Sequence, residues 1–148
     1  MADKPFLCKL ITPHELVFDA DISYAMVPLW DGKIGFMAHA AALVGKLGPG
    51  ELRINFVDRY TAGVKVEESG AKRWFIEGGF VQNVKNELTI LATGAHEAES
   101  LDESEAKAEL AEAVARIPGS PAEMPRITAD RQRARAKLEM IHTGTTGR

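Results

Sequence analysis

Thr93 separates two structural codes in this chain. Before it, apolar residues recur at every second position, in short runs broken by glycine, proline or charge; after it they recur at helical spacing. A strand buries alternate residues and a helix buries a stripe, so the two halves need different neighbours. A β-domain with its own core has no internal use for a helical appendage, and the second half is therefore expected to face a partner.

The strand signal is specific. Leu52, Ile54 and Phe56 alternate with Arg53 and Asn55, which turns one face inward and the other to water. Comparable runs cover Phe6 to Thr12, Glu15 to Asp19, Ile22 to Pro28, Leu43 to Leu47, Gly63 to Glu67, Arg73 to Glu77, Phe80 to Val84 and Leu88 to Ala92. The links between them are too short for parallel crossovers. Gly48, Pro49 and Gly50 form a turn before Glu51, Glu68 to Gly70 close a hairpin, and Lys85 to Glu87 close another. The expected fold is an N-terminal antiparallel β-sandwich of about ten short strands, followed by a C-terminal antiparallel two-helix hairpin.

In the second half, Ser100 and Glu103 have the form of a capping box, which starts a first helix near Ser100 or Leu101. Ala106, Leu110, Ala113, Val114 and Ile117 follow at helical spacing until Pro118, Gly119 and Pro121 stop it. Thr128 is the expected cap of a second helix, with Asp130 in its first turn and a stripe of Ala134, Leu138 and Ile141; beyond His142 the polar tail TGTTGR is expected to be disordered. Charge divides the helices. The first carries Glu97, Glu99, Asp102, Glu103, Glu105, Glu109 and Glu112, and the second carries Arg126, Arg131, Arg133, Arg135 and Lys137. Their stripes are alanine-heavy, each buried carbon stabilises by only ~0.8 kcal/mol, and surface ion pairs add roughly 0–1 kcal/mol. The residues alone leave two readings open, a hairpin that is marginal alone and able to open, or one that is simply a solvated surface element, since charged helix faces are usually only solvated. Domain boundaries at residues 1–93 and 94–148 follow.

Composition excludes several classes of function. A net charge of −3 gives no general attraction to nucleic acid or to an anionic membrane surface. The opening MADKPFLCKLITP lacks a basic segment followed by a long apolar stretch, and no apolar run reaches the length of a bilayer. A soluble, cytosol-facing chain without direct membrane insertion is expected. Cys8 alternates with Phe6 and Leu10 and reads as a small buried hydrophobe. His14, His39, His96 and His142 are scattered without metal-ligand spacing, no serine sits in a nucleophile elbow, and the glycines from Gly45 to Gly50 match no phosphate-binding fingerprint. The sequence offers no seat for catalysis, metal or cofactor.

Glycines at Gly32 and Gly35, and at Gly78 and Gly79, interrupt strand patterns, where they signal a bulge or a close backbone approach. The first pair marks a projecting loop, Trp30 to Lys33, at one end of the sandwich. A carbohydrate- or peptide-binding sandwich with a helical appendage is an alternative reading, and it needs a concave aromatic site around Trp30 or Trp74.

At these residues the chain resembles the epsilon subunit of bacterial and chloroplast F-type ATP synthases, called delta in mitochondria. The resemblance rests on GKIGFMAHAAAL (Gly32 to Leu43), LGPGELRI (Leu47 to Ile54) and FIEGGFVQNVKNELTILA (Phe75 to Ala92), in the family's order and spacing. The family then continues into an acidic, alanine-rich helix introduced as at Leu101 and Asp102, and into a second helix. Two departures stand out. Both family prolines of the first motif are alanine here, at Ala38 and Ala42, and the family histidine aligns with Ala40 while His39 lies one position earlier. In LDESEA, Glu105 occupies the place of an arginine that nucleotide-binding members use, which predicts against regulatory ATP binding because an acid repels phosphate.

The resemblance implies a non-catalytic central-stalk subunit that links the gamma subunit to the ring of c subunits for proton-coupled ATP synthesis. The coupling ion itself, proton or sodium, binds elsewhere. It implies a peripheral place on the cytoplasmic face of the inner (plasma) membrane as part of the synthase complex. Asp31, Gly32 and Lys33 are the implied ring contact, and Ala40, Ala41, Ala42 and Leu43 lie near the implied gamma contact. In the family the hairpin can extend along gamma to the alpha/beta catalytic head and oppose ATP hydrolysis. Arg131, Arg133, Arg135 and Lys137 are then expected to pair with the acidic first helix when folded down, and with the head when extended.

Overall fold

The computed structural model describes residues 4–57, 59–61, 64–67 and 70–146. Contacts divide the chain into two compact units, Met1–Ala95 and His96–Arg148.

The first unit is a β-sandwich built around one long strand. β1 (Phe6–Ile11) pairs with the first part of β2 (Leu16–Leu29), whose second part pairs with β3 (Gly32–Phe36) and β5 (Gly50–Phe56). The sequence suggests two strands where β2 runs unbroken. Its inward set nevertheless changes parity, from Ala20 and Ile22 to Ala25 and Val27, across a register shift between Ile22 and Tyr24. One extra residue at a bulge reverses the facing of everything beyond it, so the two halves of β2 serve different parts of the sandwich.

β4 (Leu43–Leu47), β9 (Gly79–Val84) and β10 (Glu87–Ala92) continue from β1, while β8 (Gly70–Ile76) continues from β5. β6 (Arg59–Thr61) and β7 (Val64–Glu67) form a separate two-stranded sheet. Gly63, expected to begin β7, and Glu68 and Ser69, expected in the turn that follows it, lie outside the described residues. β3 and β6 have no counterpart among the expected runs.

The purely antiparallel expectation is corrected at one place: β1 and β10 pair in parallel, with Leu10 opposite Ile90. Parallel strands need a long crossover, and here the crossover is the intervening sandwich itself. Only the links between consecutive strands are visible as short in the sequence. Phe6, Cys8, Leu10, Ile22, Phe36, Leu52, Ile54, Ile76, Leu88 and Ile90 fill the core. Burial pushes the Cys8 thiol far above its ordinary range, with repulsion from Asp19 adding to the shift. Trp74 lies inside, 5.1 Å from the Phe18 ring and 6.1 Å from that of Phe56, instead of lining a concave surface as the alternative reading requires.

The second unit is a helical hairpin. After β11 (Ala95–Glu97) and a single 3₁₀ turn at Ala98–Ser100, α1 covers Glu103–Ala115 and α2 covers Met124–Thr146. The first cap is Asp102 and not Ser100: Asp102 Oδ1 accepts from Glu105 N at 2.9 Å and from Ser104 Oγ at 2.7 Å. Ser100 instead donates to Glu97 O within the 3₁₀ turn. α2 starts four residues before Thr128, following a second 3₁₀ turn at Pro121–Glu123. Pro125 is tolerated in its first turn because an amide there has no helical acceptor to lose. The helix also runs on to Thr146, where the composition of the tail suggests disorder. Ala106 and Ala113 of α1 and Ile127, Ala134 and Met140 of α2 are buried.

Candidate functional site

Asp31, Gly32 and Lys33 sit at the tip of the β2–β3 hairpin, all exposed. Gly32 has φ +143°, a conformation in which a side chain is strained, and Trp30 beside it is 70% exposed. The base of the hairpin is tied to β4 and the turn after it. Trp30 N donates to Lys46 O at 3.0 Å and Gly48 N to Pro28 O at 3.0 Å. A Cβ on Gly48 would lie 2.9 Å from Leu29 O, so the glycine of the GPG turn lets β4 close against this hairpin.

Ala40, Ala41, Ala42 and Leu43 lead from β3 into β4. Two asparagines hold this link: Asn86, read from the sequence only as a turn residue, and Asn83, which the motif reading does not single out. Asn83 Nδ2 donates to Ala40 O at 3.2 Å and Ala41 O at 3.0 Å, and Asn86 Oδ1 accepts from His39 N at 2.6 Å. Asn83 is 3% exposed. A buried amide must find partners, and the carbonyls of the link supply them. The link therefore has a fixed course without the family prolines. Asn83 was findable: it shares the inward parity of Val81, where a polar residue is anomalous. Asn86 and Lys85 both have positive φ, at 61° and 52°, which suits a tight hairpin between β9 and β10.

Beside the link, one outward face of the sandwich carries large exposed apolar side chains among polar ones. Phe80 is opposite Leu91 on β10 and Lys46 on β4, and Ile11 is opposite Leu91 on β1. Val44 lies two residues along β4 from Lys46, opposite Gln82 and so diagonal to Phe80. Val44, Phe80 and Leu91 are 70%, 58% and 48% exposed. Large neighbouring apolar side chains in water mark a contact surface more often than chance placement does. The period-two pattern reveals their outward parity, but only the strand order shows that they adjoin.

In the hairpin unit, the four basic candidates do not act alike. Lys137 Nζ meets Glu109 of α1 at 3.1 Å, as expected. Arg131 instead donates to backbone carbonyls of α1, Arg133 pairs with Asp130 on its own helix at 3.5 Å, and Arg135 is exposed. Arg116 bridges Glu112 at 2.6 Å and Asp130 at 2.7 Å. The Arg116 guanidinium holds the Asp130 carboxyl below the usual range, and Lys107 and then His142 do the same for Glu103. A cavity of about 150 Å³ in this unit is lined by Asp102, Glu105, Glu109 and Lys137, among others. Three carboxylates face it, and its lysine is already paired with one of them. Such a lining disfavours a phosphate group.

The family model for the β-sandwich domain of the ATP synthase delta/epsilon chain matches residues 5–98. The chain belongs to the ATP synthase delta/epsilon family. An ATP synthase epsilon chain of Rhodopirellula baltica is 33% identical over 132 residues, covering 88% of this chain and 94% of the relative. A chloroplastic epsilon chain of Cyanidioschyzon merolae is 30% identical over 135 residues, covering 90% and 95%. In fold the chain is similar to a chain of the Euglena gracilis mitochondrial ATP synthase OSCP/F1/c-ring structure, with a TM-score of 0.69 and 21% identity over 98% of this chain and 89% of that one. As an epsilon-type chain it is a non-catalytic, accessory part of the synthase. The family model spans the sandwich, whereas the relatives extend the likeness into the hairpin. Among the described residues, no helix is long and apolar enough to cross a membrane.

Proposed function

We propose that this chain joins the gamma subunit to the c ring and turns with them, the sandwich serving as the coupling and the hairpin as an arm. The observation that carries this reading is the set of exposed apolar side chains Val44, Phe80 and Leu91, which continues from the Ala40 to Leu43 link. A rotor connection must transmit torque without parting, and buried apolar area supplies affinity that salt does not screen. The gamma subunit is assigned to this face. The c ring is assigned to the β2–β3 tip, where Asp31 and Lys33 present opposite charges beside Trp30 on a base tied to β4. A chain of similar fold belongs to the central stalk/c-ring structure of the Tetrahymena thermophila mitochondrial ATP synthase, with a TM-score of 0.62 and 16% identity over 99% of this chain and 100% of that one, and a place in such a stalk accords with this reading.

Association tests the coupling. Phe80→Asp is expected to abolish co-purification with gamma while leaving the isolated sandwich folded, and retention of gamma by that variant would sink the assignment of the face. Replacement of both Asp31 and Lys33 by alanine is expected to spare gamma binding and loosen the ring.

The arm is proposed to oppose ATP hydrolysis by extending to the alpha/beta catalytic head, where Arg131, Arg133, Arg135 and Lys137 meet acidic groups. The support is energetic: few large side chains are buried in the hairpin, and its cross-helix bonds are ion pairs and arginine–carbonyl hydrogen bonds within reach of water, so opening costs little apolar burial. ATP hydrolysis by the assembled complex is expected to rise when the chain ends near Pro118. Equal rates would remove the arm's inhibitory role and leave the coupling role untouched.

A further inference from the structure

α1 ends without the usual provisions for its last carbonyls. The chain leaves the helix in an extended conformation at Arg116 (φ −70°, ψ 127°), and no basic side chain lies in the last turn. Helices leave their final carbonyls without intrahelical donors, and a left-handed glycine or a nearby cation ordinarily serves them. Here the donor comes from the other helix. Arg131 Nε donates to Ala113 O at 2.9 Å, and its Nη2 donates to Val114 O at 3.2 Å and Arg116 O at 3.4 Å. One planar, permanently charged fork thus reaches three acceptors at the negative end of the α1 dipole.

The preceding residue adds a bond of the opposite polarity. Asp130 Oδ2 accepts from Arg116 Nη1 at 2.7 Å, while Glu112 on α1 steadies the same guanidinium with contacts at 2.6 and 2.7 Å. Two adjacent side chains of α2 therefore grip the end of α1, one by its carbonyls and one by its arginine. We propose that Asp130 and Arg131 form the C-terminal cap of α1, supplied from α2, so that the last turn of α1 is wound only while α2 is docked.

Parting of the helices is then not the separation of two finished rods. It releases three carbonyls and Arg116 together, and the turn around Ala113 to Ala115 unwinds with them. Ala113 is one of the two buried residues of α1, so unwinding this turn also withdraws a residue that the helix buries. Resting only on the closed hairpin, the inference is independent of what the arm meets in the assembled synthase.

Hydrogen–deuterium exchange on the full chain, read by mass spectrometry across α1, tests it. Arg131→Gln is expected to speed exchange at the Val114 and Ala115 amides by about tenfold or more, with Ala106 to Glu109 and the β-core little changed. Arg131→Lys keeps the charge but not the fork and is expected to fall between wild type and Arg131→Gln. Asp130→Asn should give a smaller rise at the same amides. Unchanged exchange at Val114 and Ala115 in Arg131→Gln would overturn the proposal. A uniform rise along α1 and α2 would overturn it as well, because Arg131 would then fasten the whole pair and no separate turn would depend on it.

Discussion

The sandwich and the hairpin achieve burial by different means. In the sandwich, Phe36, Leu10, Ile22, Leu52, Ile54 and Ile90 are wholly inside, and ion pairs such as Lys9 with Glu87 lie at the surface. In the hairpin, three of the five buried apolar residues among those described are alanines, and the cross-helix fastenings are polar: Arg116 to Asp130, Lys137 to Glu109, Arg131 to the carbonyls at the end of α1, and His142 to Glu103, the last an ion pair only when His142 is protonated. Apolar burial is not screened by salt and does not depend on the titration of surface groups, whereas partly exposed ion pairs answer to both. The first construction suits a joint that must stay whole. The second suits the opening proposed for the arm.

The comparison is most severely tested in the sandwich core. Ile54→Ala removes a fully buried side chain, and the expected loss is about 2–5 kcal/mol, read from the urea midpoint by the fluorescence of Trp74. A loss below that range would mean that the core tolerates cavities and that the contrast with the hairpin is overdrawn. Gly79→Ala comes next. Gly79 has φ +127°, and a Cβ there would collide with the backbone carbonyl of Leu91. The conformational strain alone is expected to cost about 1–3 kcal/mol in the same assay, and a neutral result would show that β9 and β10 can shift apart.

The two units are expected to differ in their response to acid. Asp130, held low by Arg116, and Glu103, held low first by Lys107 and then by His142, have folded-state pKa values below those of the unfolded chain. Their contribution is present above the unfolded carboxylate range and is lost as pH falls through the folded values. Helical circular dichroism is therefore expected to decline below about pH 4 before the Trp74 signal changes. Simultaneous loss of both signals would break the comparison. The smallest effect is expected from Lys137→Met, which removes one cross-helix pair. It should lower the hairpin melting transition by no more than about 1 kcal/mol, and 1 M salt should shrink the difference between variant and wild type.

Much of the fold is legible in the sequence because strand facing is local. Leu52, Ile54, Val81, Leu88 and Ile90 carry the period-two signal, and all are inside. The continuity of β2 is not legible, since its parity change at the bulge imitates a break between two strands. Nor is the parallel pairing of β1 with β10, which depends on contacts between the ends of the domain. At the candidate site, the glycines of the β2–β3 tip announce themselves, whereas the roles of Asn83 and Asn86 emerge only when β9 lies beside the link they hold.

The hairpin shows the same division more sharply. Its charge asymmetry is plain in the sequence and predicts that the helices attract each other, but charge counts cannot specify which atoms meet. Lys137 finds an acid across the interface, Arg133 finds one on its own helix, and Arg131 finds carbonyls. By itself the sequence determined the two periodicities, the family motifs and the sign of the charge on each helix, because these reside in residue types and their spacing. Only the tertiary structure decided which outward apolar residues adjoin, which asparagines fix the link and which arginine caps α1. Those outcomes depend on distances between residues remote in the chain, and spacing along the chain does not encode them.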